Sequence, residues 1–370
     1  MLLSWVKTFG DVIYINIFGR PVIVLNKVEH AIELMDKQGA AYSDRPRMVY
    51  LNEIFSASMI LTVNYGYEVE PGEDPLVKLF EGSDATIARP GSPGATLVDF
   101  FSLLRFVPPF LPGGKFTKLS GQARGALKMM LNKPFDAVIE QRAAGVASHS
   151  LLALMLDKYE QNGQVDQSQL KAIKEVSGTM YRAGAGTTSA LLRSFVHAMV
   201  LNPVVARMGQ AEIDCIIGNE RLPAFEDKGL LPYIDYILKE LLRWKPPIPL
   251  GIAHRAIHDG EIAGKHIPKG SLIIPNIGYM MSDERNYEDP GRFFPERFMS
   301  DVSGTENTVL DPSSAVFGFG RRICPGRHFA EASLWLAIAN MLAVFDILPV
   351  LDNDGHEVLP ENKFTEGLTW

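Results

Sequence analysis

The stretch FGFGRRICPG, Phe317 to Gly326, places one cysteine, Cys324, in a loop framed by Gly318, Gly320 and Gly326 and preceded by Arg321 and Arg322. Glycines at this density let a backbone turn tightly and approach a flat ligand, and the arginines supply charge for carboxylates. A thiolate metal ligand needs its negative charge tolerated, so N–H groups and cations near the sulfur suit it. Immediately after the loop, RHFAEASLWLAIANMLAV, Arg327 to Val344, has the length and apolar content of a buried helix. The positive end of its dipole would face the sulfur and favour the thiolate. The loop therefore reads as a thiolate metal site, and a buried structural cysteine is the bland alternative.

The rest of the composition narrows the class. At 370 residues, 46% hydrophobic and 21% charged, the chain has the make-up of a globular protein with a large core. A net charge of −7 argues against a general nucleic-acid binder, which needs a basic surface. Two cysteines, Cys215 and Cys324, give neither a disulfide framework nor a zinc cluster, and a reducing compartment fits. No run reaches the roughly eighteen apolar residues of a membrane span, and Met1–Lys7 is too short for a signal peptide, so a soluble or peripheral chain is expected.

Working back along the chain, Asp11–Asn26 reads as a β-hairpin turning at Phe18, Gly19 and Arg20, and Val28–Gly39 as a helix. Leu51–Val69 reads as helical, Pro71–Asp74 as a turn, and the Pro- and Gly-rich, aromatic stretch Phe106–Phe116 as an apolar loop. That loop either touches a membrane, covers a substrate entrance, or packs on the core. Helices are expected over Lys115–Arg142, Ser150–Gln161 and Gln167–Leu201, and helix dominates to Arg243. Glu261–Pro275 is read as a short hairpin with a Pro-Lys-Gly turn, and Asn286–Phe298 as a meandering loop. No repeat or low-complexity tract is present. The fold class expected is mainly α with a small β part, as a single domain over 1–370: a β-rich start (1–53), a helical middle (54–250) and a part holding hairpin, meander and cysteine loop (251–370).

Phe317, Gly320, Arg322, Cys324 and Gly326 match F-x-x-G-x-R-x-C-x-G, so the chain resembles the cytochromes P450, most of all those of fungal secondary metabolism. Three further motifs follow in family order. In YILKELLRW, Glu240 and Arg243 share a helix face; alone this is an ordinary surface pair. The resemblance implies that Arg297, within PERF at Pro295–Phe298, joins them in a buried structural triad. In AHR at Ala253–Arg255, His254 stands where the family carries a haem-propionate partner, with Arg255 second. YRAGAGTTSALL, Tyr181–Leu192, resembles the family's central helix, with Thr187, or Thr188, as the alcohol that relays protons during oxygen activation. Gly186 takes the position of the family's acid; close helix packing is the simpler reading of AGAGTT.

The resemblance implies a haem b cofactor on Cys324. Phe317, Gly318, Gly320, Arg322 and Gly326 would shape and neutralise its site. The activity implied is a monooxygenase that inserts one atom of O2 into an apolar organic substrate. Electrons would come from NADPH through NADPH-cytochrome P450 reductase, since no G-x-G-x-x-G follows a strand here. An endoplasmic-reticulum setting on the cytoplasmic side is implied, with Phe106–Phe116 as a peripheral membrane contact. Two departures point to an incomplete P450 fold. YSDRPRMVYLNE, ending at Glu53, runs almost directly into SMILTVNYGYEVE, so the family's W-x-x-x-R helix and its neighbours are expected to be missing, together with an N-terminal anchor. A catalytically silent remnant, a non-catalytic haem-binding protein and a peroxide-driven enzyme are the alternative readings.

Overall fold

The computed structural model describes residues 12–17, 20–25, 55–70, 74–79, 106–107, 115–160, 164–252, 254–255, 257–262, 265–267, 269, 272–273, 275–299, 309–352 and 355–360. Its contacts group the chain into two units, Met1–Met48 with Leu348–Glu361, and Val49–Ile347 with Asn362–Trp370. In the first, β1 (Val12–Ile17) and β2 (Arg20–Leu25) pair antiparallel from Val12↔Leu25 to Ile17↔Arg20. Arg20, expected in the turn, is thus the first residue of β2. The helix expected over Val28–Gly39 lies outside the described residues.

The second unit is mainly helical: α1 (Phe55–Tyr65), α2 (Lys115–Ala143), α3 (Leu151–Tyr159), α4 (Gln167–Leu201), α5 (Pro203–Ile216), α6 (Pro232–Trp244) and α7 (Arg327–Val344). Several boundaries follow from local chemistry. α1 stops at Tyr65, short of the expected Val69, because Gly66 takes a left-handed φ of 65° that ends a helix cheaply. Ser150 caps α3 by accepting from Ala153 N, and Asp166 caps α4 by accepting from Ser168 N and Gln169 N. Pro203 opens α5 and Pro232 opens α6, where a missing N–H is harmless. α2 begins at Lys115, as expected for the helix read over Lys115–Arg142, and so takes the last two residues of the stretch read as the apolar loop.

The short strands of this unit differ from the single hairpin expected over Glu261–Pro275. Gly260–Ile262 pairs with Lys265–Ile267 across a reversal between Ile262 and Lys265, ahead of the expected Pro-Lys-Gly turn. Leu272–Ile273 instead pairs back to His254–Arg255. The inner hairpin is therefore inserted between two strands of an outer pair. The β-propensity of IIP does not say which partner it takes, because register is set by tertiary context.

α4 passes through two cores. Its first half supplies Ile173, Tyr181 and Ala185 to a cluster with Ile60, Leu61 and Tyr65 of α1, Met130, Phe135 and Val138 of α2, and Leu152 and Leu156 of α3. Its second half supplies Leu191, Leu192, Phe195 and Met199 to a larger cluster with α5, α6 and α7. Hydrogen bonds from Asn64 Nδ2 to Ser177 O (2.8 Å) and from Tyr181 Oη to Leu76 O (2.9 Å) pin the first half. Close approach depends on two glycines: a Cβ on Gly178 would lie 1.9 Å from Leu131 Cδ2, and one on Gly184 would lie 2.5 Å from Ile60 Cδ1. The GAG of the central motif thus serves helix packing at Gly184, while its neighbour Ala183 stays exposed.

Gly178→Val would overpack the α2–α4 contact, and overpacking of this kind costs about 1–3 kcal/mol. A urea titration of the purified variant should show a lower midpoint with an unchanged slope.

Candidate active site

A fully buried charged cluster lies at the end of α6. An E-x-x-R spacing puts a carboxylate and a guanidinium on one helix face, and here both are shut from solvent, Glu240 at 0% and Arg243 at 1% exposure. Arg243 donates twice to Glu240, from Nε to Oε2 (2.8 Å) and from Nη2 to Oε1 (2.7 Å). Arg297, in the short 3-10 helix Pro295–Phe298, donates from Nε to Glu240 Oε2 at 3.0 Å, and Phe294 N donates to Oε1 at 2.9 Å. The second guanidinium charge is spread over backbone carbonyls. Arg243 Nη1 donates to Met281 O (2.9 Å) and Arg297 Nη1 to Glu288 O (2.7 Å). Glu240, Arg243 and Arg297 therefore staple residues 281–297 onto α6.

Two glutamates extend this cluster. Glu212 of α5 accepts from Tyr233 N and Ile234 N and so satisfies the first turn of α6, although burial pushes its carboxyl upward. Glu296, next to Arg297, accepts from Tyr233 Oη at 2.7 Å. Neither was singled out from the sequence. Only the P-E-R-F context of Glu296 hinted at a role.

The cysteine loop is built over the start of α7. Residues Ser313–Val316 form one helical turn, Gly318 and Gly320 take left-handed φ values of 82° and 58°, and Gly320–Arg322 make a 3-10 turn. Cys324 N then donates to Phe317 O at 2.8 Å, closing the loop. Ser313 Oγ donates to Glu331 Oε1 at 2.8 Å, which fastens the loop's entry to α7. Cys324 is a free thiol, half-buried. Two residues on, Gly326 starts α7 with no side-chain cap, which leaves first-turn N–H groups for another acceptor. A Cβ on Gly326 would sit 3.9 Å from Cys324 Sγ, an ordinary contact, so this glycine is not what leaves room beside the sulfur.

The other candidates are spread. Arg321 and Arg322 are exposed and form no ion pair with any described residue. Phe317 packs against the larger core, whereas Phe319 stays 38% exposed beside the arginines. Thr187 is on the open side of α4 and donates its hydroxyl back to Ala183 O at 2.7 Å; Thr188 is buried. His254 is exposed in its strand opposite Ile273, and Arg255 pairs with Leu272, its side chain lying outside the described residues. A free half-buried thiol, two unpaired arginines and an exposed aromatic ring suit a flat, dianionic iron cofactor of the haem type. Among the described residues no group of His, Cys, Asp and Glu offers a rival metal site.

The family model "Cytochrome P450" matches residues 91–366, from ahead of α2 through α7 and the cysteine loop. The chain belongs to the cytochrome P450 family. It is similar to cytochrome P450 monooxygenase 136 of Postia placenta, 33% identical over 428 aligned residues that cover 98% of this chain and 81% of that one. It is also similar to cytochrome P450 monooxygenase 176 of the same fungus, 33% identical with 99% and 82% covered. Cytochrome P450 monooxygenase claT of Ampulloclitocybe clavipes is 33% identical, with 99% and 83% covered. The fold is thus a mainly α P450 fold, the enzyme class is monooxygenase, and the cofactor is haem b. O2, an organic substrate and a redox partner come with the family. No single helix among the described residues is long and apolar enough to cross a membrane.

Glu240→Ala would leave two buried guanidinium groups short of their shared carboxylate, and breaking a buried pair in this way costs about 3–5 kcal/mol. The variant should accumulate as insoluble protein or melt far below the unsubstituted chain in a thermal scan.

Proposed function

We propose that this P450 is a haem-thiolate monooxygenase whose iron is held by Cys324 and which oxidises an apolar organic substrate. The carrying observation is Cys324 itself: a free, half-buried thiol in a glycine-turned loop, two residues before the uncapped start of α7. When bound, haem supplies O2 activation, placing one oxygen atom in the substrate and the other in water at the expense of two electrons and two protons. The α7 N–H groups favour a charged sulfur, and Arg322, with His254 and then Arg255, would neutralise the propionates. Phe317, Gly318, Gly320 and Gly326 give the loop its shape.

Proton supply falls to the α4 hydroxyls. Thr187 is the better placed, since Thr188 is buried at 4% exposure while Thr187 stands beside exposed Ala183. Its hydroxyl now donates to Ala183 O and must release that carbonyl to serve a water chain. With Gly186 in place of an acid, water itself carries the proton to Thr187. Electrons come from NADPH through a separate reductase. Phe106, 69% exposed at the start of the apolar stretch Phe106–Phe116, supports peripheral contact with the endoplasmic-reticulum membrane on its cytoplasmic side. The working unit is read as one domain over 1–370, of incomplete P450 form.

A second reading, a haem-binding remnant without turnover, is favoured by the lengths of the alignments. The alignments to the relatives run over 428, 429 and 420 residues, longer than the 370-residue chain, so the relatives carry within that span residues that this chain does not. The gap would fall after about Glu53 and remove part of the distal wall and of the reductase surface. A peroxide-driven enzyme would tolerate that loss.

The carbon monoxide difference spectrum of the reduced protein separates these readings. A thiolate-type Soret band that Cys324→Ser abolishes supports the assignment, and purification without haem sinks it. Turnover with NADPH and reductase, set against turnover with peroxide, then identifies the electron source. In the catalytic case Thr187→Ala should lower coupled turnover by about tenfold to a hundredfold, with Thr188→Ala milder, as loss of positioned proton transfer predicts. Product formed per NADPH consumed is the measurement.

A further inference from the structure

Among the described residues, one cation on the central helix has no side-chain partner. Arg182 of α4 is only partly exposed, its Nε is closed to solvent without a hydrogen-bond partner, and no described residue makes an ion pair or ring contact with its side chain. Four residues on, where an i,i+4 acid would pair with it, stands Gly186. Seven residues on, Ser189 is buried at 5% exposure and its Oγ is likewise without a partner. At 3.6 residues per turn, residues seven apart lie on almost the same line, roughly 10 Å apart along the axis. Arg182, Gly186 and Ser189 therefore form one stripe, with two unsatisfied polar groups flanking a glycine. A polar atom closed to solvent without a partner is costly, and Arg182 Nε and Ser189 Oγ are both of this kind, so the stripe is accounted for best by a ligand that completes it.

The neighbouring face of the helix says what the rest of that ligand is like. Thr179, Ala183, Val176, Thr187 and Met180 follow one another around α4 on the side next to Arg182, and none of them is buried, with Val176 48% and Met180 36% exposed. This face is largely apolar and contains the hydroxyl read above as the proton relay. A substrate lying on it would present carbon to Thr187 and its end group to the margin at Arg182.

The geometry points to Arg182 as a specificity-determining residue that binds the carboxylate of an organic-acid substrate, its apolar skeleton lying along the open face of α4, with Ser189 as an adjacent hydrogen-bonding group. This rests on the proposed monooxygenase reading and names its substrate class. A guanidinium offers two parallel donors to a carboxylate, a geometry that a lysine only partly replaces and an ester cannot use as an anion.

Decanoate and methyl decanoate serve as probes, titrated calorimetrically into the full chain, while the carbon monoxide spectrum of the same preparation reports separately on the thiolate site. Decanoate should bind about tenfold or more tightly than the ester, as a charge-assisted bidentate pair predicts. Arg182→Leu should erase that preference and Arg182→Lys keep part of it, both with the carbon monoxide band of the unsubstituted protein. Equal or undetectable binding of acid and ester overturns the assignment, as does an acid preference that survives in Arg182→Leu. The comparison within the unsubstituted chain decides the matter even if the leucine variant does not fold. An acid preference without any thiolate band would overturn the monooxygenase reading, and Arg182 would then be a carboxylate-binding residue but not a determinant of substrate.

Discussion

The carboxylate of Glu240 is the constraint on which the site half of the molecule depends. Two guanidinium groups and one backbone N–H converge on it, in a place that water does not reach. Arg243 comes from the same helix, whereas Arg297 and Phe294 come from the irregular segment that follows, so the cluster converts a meander into a fixed surface. That surface continues into the small core of Ile277, Met281, Tyr287, Phe298 and Ala315, and Ala315 begins the approach to the cysteine loop. An irregular segment has few backbone hydrogen bonds of its own, so its position must come from side chains that reach its carbonyls. Arg243 and Arg297 do this at Met281, Glu288, Asp289 and Arg292.

α4 and α7 carry the chemistry-bearing residues. α7 is held in the larger core by Leu334, Trp335, Ile338 and Leu342, and its uncapped start faces the loop that ends at Cys324. α4 changes partners in mid-course, leaving the α1–α3 core after Ala185 and joining the α5–α7 core at Leu191. Thr187 lies in that interval. A helix that must satisfy two cores on adjoining stretches has one side left open at the join, which is where Thr187 stands, one turn after exposed Ala183. Among the described residues, Arg182 Nε and Ser189 Oγ stand unpartnered at the margin of the open side.

Much of this was legible in the residues. The order of the cysteine loop, E-x-x-R, PERF and AGAGTT identified the family, and helix limits such as Gln167–Leu201 and Arg327–Val344 followed from length, apolar content and the weakness of internal breakers. Strand partners were not legible: Leu272–Ile273 reads as one arm of a local hairpin yet pairs with His254–Arg255, because two-residue strands carry no register signal of their own. Burial was hidden as well. Thr187 and Thr188 are chemically alike and adjacent, and only helix packing sends one toward the core and the other to the open face. Arg182 looks like any charged residue on a long helix, and its missing partner is a property of what surrounds it.

The sequence by itself determined the cofactor class and the family, because a thiolate loop needs particular residues at fixed short spacings, and short spacings survive as text. Tertiary structure alone decided which polar groups are paired. Whether Glu240 meets Arg297, 57 residues away, or Arg182 Nε meets no described residue, depends on how segments remote in the chain are brought together. Pairing energies arise between groups within about 3 Å, and separation along the chain carries no information about that distance.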